Sequence, residues 1–147
     1  MTREEFSATV DMPHAPKVAF TYLVDPRNRP EWQASLLSVR LDERDAEPAV
    51  GLTWRDTLVI GVKPRMEITE LVPYRVFTEA GHWGGITMQL TLRFVATGKG
   101  CRIHAEGRLD GSGPWSAAVR TGGFVASRSI RSDLERASRV LSDRGPR

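Results

Sequence analysis

The sequence predicts an α+β fold, in which a strongly curved antiparallel β-sheet grips a long C-terminal α-helix and two short helices lie between the first and second strands. Three observations predict it. From Gly51 to Leu109 the chain reads as strand, turn, strand without a helical period, and short connections of that kind make an antiparallel meander with one apolar face to cover. Pro114 to Asp143 is the run periodic enough to be the cover, because Trp115, Val119, Gly122, Ala126, Ile130, Leu134, Ala137 and Leu141 recur at steps of three and four. Between the first strand and this meander, Pro16 opens a short helix, and Asp25-Pro26 ends it and caps a second turn that runs to Pro30.

The elements follow in order. Phe6, Ala8, Val10 and Met12 alternate with Ser7, Thr9 and Asp11 as a half-buried strand that Pro13 stops. Val18, Ala19, Tyr22 and Leu23 form the inward side of the first helix, and Trp32 follows the second turn. Leu37, Val39 and Leu41 mark the next strand, and Asp42 to Pro48 is an acidic loop. Leu52, Trp54, Asp56, Leu58 and Ile60 share one parity before a turn at Gly61. Met66 and Ile68 follow on a strand ended by Val72-Pro73. Tyr74 to Ala80 is a further strand whose inward face stays open, since Val76 and Phe77 argue for opposite parities. Gly81 to Gly85 reads as a turn-rich connection. Ile86, Met88, Leu90, Leu92 and Phe94 then alternate with polar residues, as do Ile103, Ala105, Gly107 and Leu109 after the turn at Gly98 to Gly100. Alternate turns of a meander share an end, so the turn at Gly61, the loop 81–85, the segment 110–114 and the strand entry at Trp32 are expected on one rim. For the last helix, Gly113 or Ser112 caps the start, Gly145-Pro146 closes the end, and the tail 144–147 is expected to be disordered. Gly122 and Gly123 each cost about 1 kcal/mol of helix propensity relative to alanine. The stripe puts Gly122 over the sheet and Gly123 at its flank, so a hollow beneath Gly122 is expected.

At 147 residues the chain is expected to be a single domain, residues 1–147. Its apolar share of 40% and charged share of 27% are those of a globular protein. The best apolar run, Leu58-Val59-Ile60 followed by Gly61 and Val62, is far too short to span a membrane. Met1 to Glu5 lacks the basic and apolar regions of a signal peptide, and Cys101 is the only cysteine, so a cytoplasmic protein without disulfides is expected, monomeric or homodimeric. The net charge of +3 gathers on the last helix and tail, where Arg120, Arg128, Arg131, Arg136, Arg139, Arg144 and Arg147 outweigh Asp133, Glu135 and Asp143. That pattern reads as a solvated helix face or as a dock for an acidic partner such as a carrier protein. Nucleic acid is not expected, because no aromatics interleave with the arginines and no reader motif occurs.

Several short signatures fall in a fixed order: Met12-Pro13 ending the first strand, Val18-Ala19-Phe20, Asp25-Pro26, Trp32, Val50-Gly51, Ile68-Thr69-Glu70 with Pro73, and Asp133-Leu134-Glu135-Arg136. Together they resemble the START-like, Bet v 1-like superfamily (SRPBCC), and especially its polyketide cyclase/dehydrase and lipid-transport branch. The resemblance spans nearly the whole chain and implies the helix-grip fold, with a cavity between sheet and helix for lipids, polyketides, sterols or aromatic metabolites. Some members are carriers, while others are cyclases or aromatases. Aromatase/cyclase members carry a polyketide-positioning arginine on the strand that here ends near Val72. Glu70 stands at the comparable position, so that mechanism does not transfer.

Asp56 is the sharpest candidate for chemistry, because its parity sets it beside Trp54 and Leu58 on the apolar face. A desolvated carboxylate there would act as a general acid or base. Its alternative is a twist to solvent or a pair with Arg65. His82, in the glycine-bracketed loop with Trp83, would shuttle a proton if it faces a ligand, and otherwise belongs to a mobile gate. His104 has the parity of a surface ladder, and His14 sits among prolines as a structural or exposed group. Tyr22 and Tyr74 read either as donors into the cavity or as core rings. The ligand-lining candidates are Trp32 and Trp83 at the rim, Trp54, Leu58, Met66, Ile68, Met88, Leu90 and Ile103 on the strands, and Trp115, Val119, Gly122 and Ala126 on the helix.

Three scattered histidines and one cysteine offer no metal-site spacing, and no phosphate loop, dinucleotide fingerprint or nucleophile elbow occurs. Any enzyme here would work without a cofactor. Three readings follow: a pocket protein for a hydrophobic polyketide, lipid or aromatic metabolite with cyclase or dehydratase activity, a non-catalytic carrier or sensor, and an interaction protein using its arginine-rich helix. Asp56 and His82 both lining a cavity favours the first. Both facing solvent favours the second, and a filled core beneath Gly122 favours the third.

Overall fold

The computed structural model describes residues 1–144. Its sheet has the order β1-β7-β6-β5-β4-β3-β2 and is antiparallel throughout. The strands are β1 (Thr2–Met12), β2 (Leu36–Leu41), β3 (Thr53–Leu58), β4 (Arg65–Val72), β5 (Val76–Trp83), β6 (Ile86–Thr97) and β7 (Gly100–Gly111). Between β1 and β2 lie α1 (Pro16–Leu23), a 3-10 turn (Pro26–Asn28) and α2 (Arg29–Trp32). A second 3-10 turn (Gly113–Trp115) leads into α3 (Ser116–Asp143). This is the helix-grip arrangement. The proposed helix closure at Gly145-Pro146 and the tail beyond Arg144 fall outside the described residues.

Proline and side-chain caps start the short helices as their chemistry requires. Asp25 accepts the Arg27 backbone N–H at 3.0 Å, and Pro16 occupies the first turn of α1. Ala19, Phe20, Tyr22 and Leu23 are the buried residues of α1, so Phe20 takes the inward place expected of Val18, which is exposed. Phe20 meets the rings of Phe94 and Tyr74 edge-on, with centroids 5.3 and 5.6 Å away. On β2 the pairing shifts register between Leu36 and Ser38, and this bulge turns Leu36 inward and leaves Leu37 exposed. Ile60 lies past the end of β3, in the turn, and is also exposed.

The open question on β5 resolves to the parity of Phe77: Phe77, Glu79 and Gly81 are buried, and the strand runs on to Trp83 instead of turning at Gly81. Glu79 therefore sits on the central strand, beside Ile68 of β4 and Leu90 of β6. The turns fall on the expected rim, since Trp83 pairs with Ile86, Leu36 with Leu58, and Thr2 with Gly111. Thr2 Oγ1 donates to Ser116 Oγ at 2.8 Å, which ties the start of α3 to the same rim.

Helix α3 lies chiefly along β1 and also packs on β7, α1 and α2. Val119, Gly123, Ile130, Asp133, Leu134, Ala137 and Leu141 are its buried residues. Gly123, not Gly122, faces β1 most closely: a methyl group there would run into the Glu4 side chain. One on Gly122 would meet Leu109 Cδ1 at 3.0 Å. Gly123 thus marks close approach of helix to sheet, and the end of the Leu109 side chain reaches the space beneath Gly122. His14 is structural, its Nε2 lying 3.1 Å from the Ser138 carbonyl oxygen on α3.

Candidate functional site

Asp56 faces the interior, but as one member of a buried ionic cluster. Arg29 projects from α2 over the concave face of the sheet. Its Nη1 donates to both Glu79 oxygens, at 3.0 and 2.9 Å, and its Nη2 donates to Asp56 Oδ2 at 2.9 Å. Trp54 Nε1 donates to Asp56 Oδ1 at 2.9 Å, and Gln33 Oε1 accepts from Arg29 Nη2 at 3.4 Å. The guanidinium also lies over the Trp54 ring, 5.3 Å from its centroid. Arg29, Asp56 and Glu79 are only 5%, 3% and 3% exposed.

Two carboxyl groups face one guanidinium, so full ionisation would leave a buried negative charge. Burial pushes the Glu79 carboxyl above its usual range, Arg29 pulls against this, and the neighbouring Asp56 adds to the rise. Burial works against the charge on Arg29, but the Glu79 and Asp56 carboxylates outweigh it and leave the guanidinium more firmly protonated than usual. Arg29 Nε, and separately the indole Nε1 of the core residue Trp32, are enclosed with no acceptor among the described residues. Asp133 of α3 accepts the Ala34 N–H at 3.3 Å, and burial raises its carboxyl as well.

The other candidates separate into three places. Trp32, Trp54, Met66, Ile68, Ile103 and Val119 are buried, while Leu58, Met88, Leu90, Gly122 and Ala126 are half-buried. Trp32, expected at the rim, is 1% exposed and belongs to the core, because α2 carries it inward. Trp83 and Trp115 do meet at the rim, edge to face at 5.6 Å, with the Trp115 ring lying over Gly84 and Gly85. His82 is a correction. As β5 continues past Gly81, the alternation sends His82 to the convex face, opposite Arg65 and away from Asp56. There it lines an open groove of about 560 Å³ with Arg65, Thr87, Arg108 and Asp110. A second groove of about 500 Å³ runs past Glu5, Ser7, Thr91 and Glu106. No residue of α3 lines either groove.

A family described as polyketide cyclase / dehydrase and lipid transport matches residues 3–142. The chain belongs to that family. No curated protein sequence matches it. Among solved structures, this family member resembles the ZhuI aromatase/cyclase from Streptomyces sp. R1128, with TM-score 0.82, 12% identity, and coverage of 98% of this chain and 96% of that one. It resembles TTHA0849 from Thermus thermophilus with TM-score 0.77 and 16% identity, covering 97% and 99%. It also resembles Ara h 8.0201, with TM-score 0.73 and 13% identity, covering 96% and 99%. At these identities the likeness is one of fold.

Arg29 and Glu79 are the residues that sequence reasoning missed in this polyketide cyclase/dehydrase-family protein. For Glu79 the signal was present: choosing the parity of Phe77 places it inward. For Arg29 there was none, since a helix of only Arg29–Trp32 has no amphipathic period to say which way it points.

Proposed function

We propose that this chain binds a hydrophobic small molecule of the polyketide, lipid or aromatic-metabolite class on the concave face of the sheet. The observation that carries the reading is the Arg29–Asp56–Glu79 cluster. Buried ion pairs recover their desolvation cost poorly, and apolar residues of similar volume are often as stable or more so. A charged cluster set among Trp54, Ile68 and Leu90 therefore calls for a working role. Family membership supports the same ligand class. Met66, an unbranched and adaptable side chain, folds over Gly81 beside the cluster, and its displacement would open room for a ligand. The Trp83–Trp115 pair marks the entrance we assign. Asp56 is held by Arg29 and His82 faces away, so binding is better supported than acid–base catalysis by that pair. The test is titration with an apolar fluorescent probe: saturable binding displaced by a fatty acid or a polycyclic aromatic is expected. A folded protein without a saturable site would overturn the reading.

The exposed apolar and basic face of α3 favours a second reading, an interaction surface on that helix. Phe124 and Val125 are 61% and 52% exposed there, and Arg120, Arg128 and Arg131 are exposed with no acidic residue between Ser116 and Ser132. This surface suits an acidic carrier protein. Loss of carrier-protein binding in an Arg120→Glu/Arg128→Glu variant with unchanged probe binding would support it.

A further inference from the structure

We infer that the rim bearing the β3–β4 turn is a docking surface for an anionic lipid bilayer, with Val59 and Ile60 entering the interface and a row of cations behind them facing the head groups. The inference goes beyond the pocket reading and does not depend on it. Val59 and Ile60 belong to the best apolar run of the sequence, yet they are 55% and 78% exposed. A tight turn holds them out: the Leu58 N–H donates to the Val62 carbonyl and the Gly61 N–H to the Leu58 carbonyl, each at 2.8 Å. The Val59 N–H donates to the Ser35 carbonyl at 2.9 Å, which fixes the turn against the entry to β2.

The cations come from four neighbouring strands. Arg40 of β2 pairs with Arg55 of β3, Arg55 with Arg65 of β4, and Arg65 with His82 of β5, so the four stand in one cross-strand row. Trp54, Met66 and Gly81, next to them in the chain, are buried on the concave side, so alternation sends the row to the convex face. Like charges directly opposite one another destabilise a sheet, and three arginines in succession call for an anionic partner. Among the described residues, Asp42 is the only carboxylate bonded to the row, through Arg65. Glu67 stands in the next row, opposite Thr53 and Ala80. Lys63 adds an exposed cation in the turn itself, where its carbonyl accepts from Arg55 Nη1 at 3.3 Å.

The two features together choose the partner. The row alone would suit an acidic protein, but apolar side chains projecting beyond it suit a bilayer, which takes apolar groups beneath a negatively charged surface. The spacing agrees. Ile60 follows Arg55 by five residues, at most about 17 Å of extended chain. With Ile60 buried about 5–10 Å into the boundary, the row stands close to one Debye length, about 8 Å, from the lipid charge. Trp83 is 38% exposed at the end of β5 on the same rim, and indole rings favour that interface.

The experiment is co-sedimentation of the intact chain with vesicles of phosphatidylcholine alone, or mixed equally with phosphatidylserine, at low and high salt. Binding is expected to the mixed vesicles at low salt, and salt should weaken it. Arg40→Gln/Arg55→Gln should weaken binding at least about tenfold, because each cation near an anionic surface contributes about fivefold. Val59→Ser/Ile60→Ser should also weaken it at least about tenfold. All four side chains are exposed, and circular dichroism checks that the variants fold. A second readout uses Ile60→Trp, whose added fluorescence should be quenched by lipids brominated in the acyl chain. No binding to the mixed vesicles, unchanged binding in either folded double variant, or no such quenching would overturn the assignment. Binding of polyglutamate but not of vesicles would also overturn it and give the face to an acidic protein. Apolar-probe titration of the same preparations reports the pocket separately. Saturable probe binding without vesicle binding overturns this surface and leaves the pocket standing.

Discussion

Arg29 Nη1 grips both oxygens of Glu79, at 3.0 and 2.9 Å, and so joins the short α2 helix to the central strand of the sheet through a fully enclosed ion pair. Because Asp56 takes the other prong, the cluster has one positive and two negative members, and its protonation is tied to the stability of the fold.

The pH dependence has a definite sign. Unfolded Glu79 loses its proton near the ordinary value of 4.5, whereas the native carboxyl, raised by burial, keeps it to higher pH. Between the two values the native state binds more protons, so this contribution to stability is present at low pH and lost as pH rises through the native value. Glu79→Gln lacks it. Urea denaturation from about pH 4 to about pH 8 should show the difference between variant and parent shifting in favour of the variant as pH rises. A constant difference would show that Glu79 titrates alike in both states.

Removing only the cation should be severe. Arg29→Ala leaves two buried carboxyl groups without a cation and should cost about 3–5 kcal/mol at neutral pH. The combined variant Arg29→Met, Asp56→Leu, Glu79→Leu removes every charge and should recover most of that loss, within about 1 kcal/mol of the parent or above it. Chemical denaturation of both proteins measures the contrast, and equal losses would mean that the cluster holds the fold by packing alone.

Helix α3 offers a test of close approach. Gly123→Leu forces a side chain into Glu4 and should lower stability by about 1–3 kcal/mol. Gly122→Leu meets the end of a flexible leucine, so its loss should be smaller. Thermal unfolding of the two variants decides the order, and a greater loss at Gly122 would contradict the observed facing of the helix.

Cys101 is enclosed between β1 and β6, paired with Met12 and Ala96, and burial pushes its thiol up to about 11, with Asp11 adding to the rise. The reactive thiolate is therefore scarce at about pH 8. Labelling by a thiol reagent should be at least about a hundredfold slower in the native protein than in denaturant. Rapid native labelling would show that this end of the sheet opens readily.

By itself the sequence determined the period and order of the elements: the long meander, the C-terminal helix, the proline-started turns and the shared rim. These are local properties, because a side chain's parity on a strand or phase on a helix is set within a few residues. The inward place of Asp56 followed from the same alternation. Tertiary structure alone decided what Asp56 meets. Its partner Arg29 comes from a turn of helix too short to carry a phase, and its rival Glu79 comes from a strand where Val76 and Phe77 gave conflicting parities. It also decided that His82 faces outward, since pairing with β4 and β6 carried β5 past the glycine that read as a turn. Contact across the sheet likewise made Gly123, rather than Gly122, the point of closest approach to β1. Each of these outcomes depends on residues far apart in the chain, whose charges and volumes meet only once the sheet has curved around the helix.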